Sequence, residues 1–398
     1  MKIAVVGLYS LKNIGDNVLC YSTIYLLKQL LPGVEIVEVD ANPPIKETRP
    51  IAGRYRTYIA RKLLKYHKNR FSYEDHSLYR YWYEKAMWWF KCGRYFEEKI
   101  RGCDAVVFSG GGFLKFRTQG LNYYVENIIR IARRQRIPVM MNGMGIEGYD
   151  EKDIRCRRLK RVINYDCVRI ITTRDDIDIL NNSYMTNKKT ITARVGDPAL
   201  WVTDVYGIHR AKKIRNVVAI NTIRGKIYQD YGNTLPADRL EDFYCDLLKE
   251  LDRRGIEWEL FSNSMKSDDL MGEAILARMG YPAEKMKYPD TNEKYLRYLS
   301  SVACTFGARL HACIISFALG VPVCGLIWNE KTRFFSEIIG RRQLFFTEDE
   351  LDISAVADAI EKAMNDSADE EVLQKLRQLT RDYLEQFCEM LKKEKNIG

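Results

Sequence analysis

The sequence predicts an α/β protein built from two doubly wound domains that face a cleft. Its 398 residues exceed what one hydrophobic core usually accommodates. Short apolar runs of strand length alternate with longer stretches in which apolar residues recur at helical spacing. This alternation occurs twice, on either side of a polar stretch at 204–215, which predicts two parallel sheets covered on both faces and a linker between them.

The first series of elements predicts an N-terminal α/β domain over residues 1–205. A helix over 17–31 follows its first strand, and an insertion at 49–101 interrupts the series with many Lys, Arg, Tyr and Trp residues. The predicted strands are 2–7, 34–40, 105–108, 138–142, 169–172 and 191–195.

The second series predicts a C-terminal α/β domain over 214–350, followed by charged helices at 351–398 that we expect to pack back toward the first domain. The predicted strands are 217–221, 257–262, 302–306 and 322–327, and the helices are 239–253, 268–279, 293–300 and 309–319. The uncharged run 310–328 is broken by Gly320-Val321-Pro322, which favours a helix followed by a buried strand over a membrane span.

Charge and cysteine usage narrow the class of protein. The formal charge of +10 favours anionic partners. The sequence contains no zinc-finger spacing, no basic zipper and no aromatic RNA-binding motif, so we expect no nucleic acid partner. Ten scattered cysteines without a Cys-x-x-Cys pair indicate reduced thiols, and the start of the chain is typical of a strand and not of a signal peptide. We therefore expect a cytoplasmic protein.

The insertion at 49–101 has two interpretations. Clusters such as Tyr81-Trp82-Tyr83 and Trp88-Trp89-Phe90 among many cations are typical of helices that lie on anionic membrane surfaces. A helical insertion with aromatics in the core and solvated charges is the favoured interpretation. The first interpretation would bring the protein to the inner face of the membrane.

Two glycine-containing motifs follow predicted strands of the first series, where open α/β sheets bind ligands. In the motif at 13–16, Gly15 permits close approach of the backbone, while Asn13 or Asp16 could simply cap the next helix. The loop Gly110, Gly111 and Gly112 follows strand 105–108 and suits an oxygen-rich substrate, since a tight strand-to-helix turn needs one glycine and not three. The dinucleotide and Walker fingerprints are absent, which argues against NAD and ATP.

Cationic side chains supply the remaining candidates. Arg174 follows strand 169–172 and could hold an anion bidentately, although a surface ion pair with Asp175 is an equal alternative. In Arg309-Leu310-His311 the Arg and His lie at the entry to a helix, where both could reach one ligand, and Lys331 follows downstream. A core histidine is the alternative for His311.

Taken together, these motifs resemble those of the polysaccharide pyruvyl transferase family. The similarity covers roughly residues 1–340. The motifs follow the family's order: Asn-x-Gly-Asp at 13–16, Ser-Gly-Gly-Gly at 109–112, Arg174-Asp175, Asp197-Pro198-Ala199, Arg309-Leu310-His311, and Gly-x-Pro at 320–322 followed by Lys331.

The resemblance implies two Rossmann-like domains, as in GT-B glycosyltransferases, with the donor in the C-terminal domain and the acceptor on the N-terminal side. It implies phosphoenolpyruvate as co-substrate and a sugar of a surface polysaccharide, or of its lipid-linked precursor, as acceptor. His311 would be the acid, and Arg309 with Arg174 would bind the donor. Lys331 could add a third cation. No cofactor and no metal site are expected.

Two other functions stay open from the sequence alone. A nucleotide-sugar glycosyltransferase of the same architecture would need a Glu to hold the ribose, and Glu330 and Glu337 are candidates. A non-catalytic protein that binds anionic glycans through the basic aromatic insertion would keep its binding when His311 is replaced.

Overall fold

The computed structural model describes residues 1–10, 13–70, 77–116, 121–367 and 369–395. The chain forms two compact units. The first contains Met1–Leu11, Leu19–Pro198 and Gln378–Gly398, and the second contains Lys12–Val18 and Ala199–Arg377.

The strands form two separate sheets. In chain order they are β1 Lys2–Gly7, β2 Glu35–Asp40, β3 Ala105–Phe108, β4 Gly111–Leu114, β5 Val139–Ile146, β6 Val168–Thr173, β7 Ile191–Arg194, β8 Arg215–Asn221, β9 Trp258–Phe261, β10 Met286–Lys287, β11 Val302–Gly307, β12 Val323–Leu326 and β13 Phe345–Phe346.

Fifteen α-helices occur in the described part of the chain. They are α1 Ile14–Leu30, α2 Ile45–Ala52, α3 Arg54–Arg70, α4 Leu78–Ile100, α5 Leu121–Gln135, α6 Ile154–Ile163, α7 Val202–Tyr206, α8 Ile227–Asp230, α9 Ala237–Arg253, α10 Lys266–Met279, α11 Asn292–Ser300, α12 Leu310–Ala318, α13 Glu330–Ile338, α14 Ile353–Met364 and α15 Glu370–Glu394. None of the described helices is both long and apolar enough to cross a bilayer.

The first unit contains a parallel sheet in the order β2-β1-β3-β5-β6-β7, and β4 pairs with β5. Strands β3 and β5 are buried along their whole length. Strand β3 is wholly apolar, and β5 is apolar apart from Asn142 and two glycines, as expected for parallel strands that are covered on both faces.

The second unit contains a parallel sheet in the order β10-β9-β8-β11-β12-β13. Because all the strands run the same way, β8, β9, β11 and β12 end at one edge, and the segments that follow them meet there. Two parallel-sheet α/β units confirm the predicted fold class. Each predicted strand is present, two of them with the predicted bounds and the others with ends shifted by one to four residues.

Two segments follow paths that the sequence pattern alone does not give. After the glycine loop at 110–112 comes a strand, because Gly111 begins the short strand β4. Helix α14 lies against α9 and β11 of the second unit, where Arg254 pairs with Asp358 at 2.6 Å, whereas the chain from Gln378 onward groups with the first unit. The apolar face of α14, which includes Val356 and Ile360, is buried.

Candidate functional site

Three helices begin at the carboxyl edge of the second sheet. Helix α10 follows β9, α12 follows β11 and α13 follows β12. The first turn of each helix has backbone N–H groups without intrahelical partners, and the helix dipole places partial positive charge there. This edge is therefore built to receive anionic groups.

Arg309 is the residue immediately before α12, and its position is fixed at both ends. Its backbone N–H donates to Oδ1 of Asn221, at the end of β8, over 2.8 Å. Its Nε and Nη2 each donate to an oxygen of Asp268, both over 2.8 Å. The Asp268 side chain is completely buried in the first turn of α10, whereas that of Arg309 is 20% exposed.

The family resemblance implies that Arg309 binds the donor, and in the structure two of its guanidinium nitrogens bind Asp268. The third guanidinium nitrogen, Nη1, lies outside this pair. Trp328, after β12, lies beside the same guanidinium with its ring centroid 5.9 Å from Cζ, and its indole N–H donates to the Ala308 carbonyl over 2.5 Å. Asp268 therefore orients the guanidinium of Arg309, whose side chain is 20% exposed.

His311 is the second residue of α12 and lies against the first turn of α1. A methyl group placed on Gly15 would overlap Nδ1, Cγ and Cβ of His311. Gly15 therefore lets the backbone of α1 approach the imidazole, and both residues belong to the second unit. The structure thus brings together two motifs that are almost 300 residues apart in the chain.

The other residues of the first motif cap α1. The Asn13 side chain accepts a hydrogen bond from the Gly15 N–H over 3.2 Å, and its amide donates to Oδ2 of Asp16 over 2.8 Å. The Ile14 N–H donates to the Asn263 carbonyl over 3.4 Å. Helix capping thus accounts for Asn13. Gly15 is the residue of this motif that lies against the candidate catalytic residue His311.

A buried polar network that the sequence analysis did not identify supports these helix starts. Oδ1 of Asn263 accepts from the Asn221 amide over 3.2 Å and from the Tyr295 hydroxyl over 2.8 Å. Asn221 and Asn263 are each 1% exposed or less. One pattern in the sequence could have identified them: Asn221 ends the apolar strand β8, and Asn263 lies two residues after the end of β9.

The remaining candidates of the second unit lie at the starts of α12 and α13. Leu310 and Lys331 are both partly buried. Lys331 is the second residue of α13. The side chain of Asn329 caps this helix by accepting a hydrogen bond from the Thr332 N–H over 3.1 Å. Glu330 is exposed and pairs with Arg333 at 3.3 Å, and Glu337 is also exposed.

The glycine loop of the first unit has local reasons for its composition. Gly110 and Gly111 have φ of 97° and 89°, a region that favours glycine. A side chain on Gly112 would meet the side chain of Lys115, and Gly110 is close to Pro198. These positions explain the three glycines without a ligand, and the predicted substrate contact stays a prediction.

Arg174 is buried beside Asp197 in the first unit. Its Nη1 forms an ion pair with Asp197, its Nε lies 3.9 Å from Asp175, and its side chain is 7% exposed. The alternative for Arg174 was an ion pair at the surface, but the pair with Asp197 is buried. It joins the Arg174-Asp175 motif to the Asp197-Pro198-Ala199 motif. This geometry favours a structural role for Arg174 over donor binding.

We predict that Arg174→Ala lowers the free energy of unfolding by about 3–5 kcal/mol, because it strands a buried Asp197 carboxylate. Thermal unfolding should show this loss, and Arg174→Ala with Asp197→Ala should cost less than the two single changes added together. Lys188→Ala, at an exposed position, is the control and should change stability little. Equal melting temperatures for Arg174→Ala and the control would contradict the buried pair.

Solved structures with similar architecture cover nearly the whole chain. Staphylococcus aureus MnaA with UDP has 9% sequence identity and a TM-score of 0.57, and covers 100% of this chain and 97% of its own. A UDP-GlcNAc 2-epimerase from Methanocaldococcus jannaschii has 11% identity and a TM-score of 0.55, with 93% and 94% covered. A UDP-forming α,α-trehalose-phosphate synthase from Burkholderia vietnamiensis has 10% identity and a TM-score of 0.51, with 100% and 99% covered. These similarities establish a GT-B-like fold.

The assignment of the chain to a protein family rests on its sequence. No curated protein matches the chain. The family model for polysaccharide pyruvyl transferase matches residues 13–330, which begin at the cap of α1 and end at the start of α13. This match confirms the resemblance seen in the motifs: the chain belongs to the polysaccharide pyruvyl transferase family.

Proposed function

We propose that this protein transfers the pyruvyl group of phosphoenolpyruvate to a sugar of a surface polysaccharide, or of its lipid-linked precursor, and forms a cyclic ketal. The observation that carries the proposal is the arrangement of Arg309 and His311 at the start of α12, with the first oriented by Asp268 and the second packed against Gly15. The family assignment gives the reaction class.

The donor chemistry suits this edge of the sheet. Phosphoenolpyruvate carries a carboxylate and a phosphate, and both are stabilised by cations and by free N–H groups at helix starts. Arg309 would use Nη1 on one anionic group, and the N-terminus of α13 with Lys331 would bind the other. Asp268 offsets one positive charge but fixes the direction of the guanidinium.

His311 is the proposed general acid. It would protonate the methylene carbon of the donor, which creates an oxocarbenium-like centre that one acceptor hydroxyl attacks. A second hydroxyl then displaces phosphate and closes the ketal. The donor carbon gains one proton, the two hydroxyls lose one each, and the phosphate leaves with the other proton.

The first unit is the proposed acceptor side. Within its glycine loop Gly110 and Gly111 are buried and Gly112 is partly exposed, so Gly112 is the position at which a backbone group would meet the acceptor.

We predict that Arg309→Lys lowers kcat/KM by about 10- to 100-fold, nearly as far as Arg309→Ala, which corresponds to about 1.5–3 kcal/mol for a charged hydrogen bond. A single ammonium cannot bridge both oxygens of Asp268 and still present a third donor in a fixed direction. Steady-state kinetics with varied phosphoenolpyruvate test this prediction. A Lys variant with nearly normal kcat/KM would show that the planar fork is unimportant.

A nucleotide-sugar glycosyltransferase is the second candidate, because solved structures of similar fold include UDP complexes. The two ribose candidates are exposed, and Glu330 is paired with Arg333.

Incubation with phosphoenolpyruvate and a panel of oligosaccharide acceptors tests the proposed function. We expect release of inorganic phosphate together with an acceptor whose mass increases by one pyruvyl ketal. Product formation from a nucleotide sugar, and none from phosphoenolpyruvate across the panel, would overturn the proposal.

A further inference from the structure

Helices α3 and α4 of the first unit present an unusual number of large aromatic side chains to solvent. On α4, Trp82 and Trp89 are 56% and 52% exposed, and Leu78 and Tyr79 near its start are equally exposed. On α3 the exposed aromatics are Tyr55, Tyr58 and Tyr66. We call these seven side chains, with the exposed cations of α3, the hairpin surface.

The hairpin surface rests on two helices that hold each other in place. Arg56 on α3 donates to the Trp89 carbonyl on α4 over 2.8 Å, and its guanidinium carbon lies 4.0 Å from the Trp89 ring centroid. Near the other end, Tyr83 donates to the Leu63 carbonyl over 2.6 Å, and His67 bonds Glu84 over 2.5 Å. The backbone that carries the aromatics is therefore fixed by specific contacts.

The charge of this surface is predominantly positive. Helix α3 contains seven Lys and Arg residues and no Asp or Glu, and Arg61, Lys62 and Lys65 are exposed on it. On α4, Glu84 is 4% exposed and is neutralised by Arg80 at 2.8 Å. Near the end of α4, Glu97 pairs with Arg134 at 2.6 Å and Glu98 pairs with Arg101 at 3.1 Å.

A basic cavity extends the hairpin surface at Trp89. Its volume is about 530 Å³, and its lining includes Arg130, Arg133, Arg134, Tyr165 and Glu97. Arg133 lies over the Tyr165 ring at 4.1 Å from Cζ to centroid, and Arg134 pairs with Glu97 at 2.6 Å. The cavity thus combines three cations and aromatic walls with one carboxylate, and the charge of its lining is positive.

We propose that the hairpin surface binds an anionic lipid bilayer. Trp and Tyr favour the boundary between headgroups and acyl chains, where a ring can be half apolar and half wet. Exposed Lys and Arg beside them are attracted to anionic headgroups, as on amphipathic helices that lie in the membrane plane. A second copy of the chain is a poor occupant, because two faces with the same positive charge repel each other.

Vesicle cosedimentation with the 398-residue chain tests this proposal. We expect binding to vesicles of phosphatidylcholine with phosphatidylglycerol, weaker binding at higher salt, and little binding to phosphatidylcholine alone. Arg61→Gln with Lys62→Gln and Lys65→Gln should lower the partition coefficient on the order of 100-fold, since each cation contributes roughly fivefold. Trp82→Ala should lower it by about tenfold.

The matched control is Lys188→Gln with Lys189→Gln and Lys213→Gln, which removes the same charge from exposed positions outside the hairpin surface. It should bind vesicles like the wild type, and all variants should keep the wild-type melting temperature. Equal losses in both triple variants, or absent binding to anionic vesicles, would overturn the proposal. So would binding of nucleic acid, but not of vesicles, through the three α3 cations. None of these readouts depends on transferase activity.

Discussion

His311→Ala should lower kcat by about 10²- to 10⁴-fold, the range expected for loss of a general acid. The imidazole lies at the start of α12 and is partly exposed, so its removal does not empty a packed interior. The melting temperature should therefore stay close to that of the wild type. Phosphate release under saturating donor and acceptor measures kcat.

His209→Ala is the matched control, because His209 is exposed in the same unit and precedes β8. It should retain full activity. If His311→Ala keeps kcat within a few fold of the wild type and melts normally, the imidazole takes no part in proton transfer.

Gly15→Ala should lower kcat by about 100-fold, the loss that a displacement near 1 Å can cause in an active site. The added methyl group would overlap the Cβ of His311 as well as its ring. Rotation of the imidazole cannot relieve an overlap with Cβ, so the start of α12 must move relative to α1. Alanine is otherwise favourable in a helix, and the fold should persist.

Gly148→Ala provides the control for this change. No atom lies within 4 Å of the position of its added methyl group, and its φ is outside the positive region. We expect normal kcat and a normal melting temperature. Equal activity of the two alanine variants would contradict the close contact between Gly15 and His311.

The regular part of the fold was predictable because buried parallel strands leave a strong signal. The run Ala105–Phe108, for example, is wholly apolar and was placed with the correct bounds. The two-residue strands β10 and β13 were missed, since Met286–Lys287 and Phe345–Phe346 are too short for any periodicity. The packing of α14 against α9 and β11 is not predictable from the sequence, because an apolar helix face does not specify which sheet it covers.

The candidate site was predictable residue by residue but not pair by pair. Sequence motifs identified Gly15 and His311 separately, and their contact depends on tertiary structure. Asp268 escaped notice because an acidic residue in the first turn of a helix is ordinary. Its complete burial against Arg309, which decides what the arginine can bind, is visible only in three dimensions.

The central claim is that the second unit binds phosphoenolpyruvate at Arg309, and ligand-induced stabilisation tests it most directly. At one hundred times Kd a ligand that binds only the folded protein adds about 2.7 kcal/mol. For a domain of this size each kcal/mol raises the melting temperature by roughly 2–4 °C. We predict that phosphoenolpyruvate produces such a shift and that UDP, GDP and sulfate do not match it. Arg309→Ala strands the buried Asp268 carboxylate and melts at a lower temperature, so its response is compared with its own ligand-free melting temperature, and we predict no shift. A clear shift with a nucleoside diphosphate and none with phosphoenolpyruvate would contradict the account.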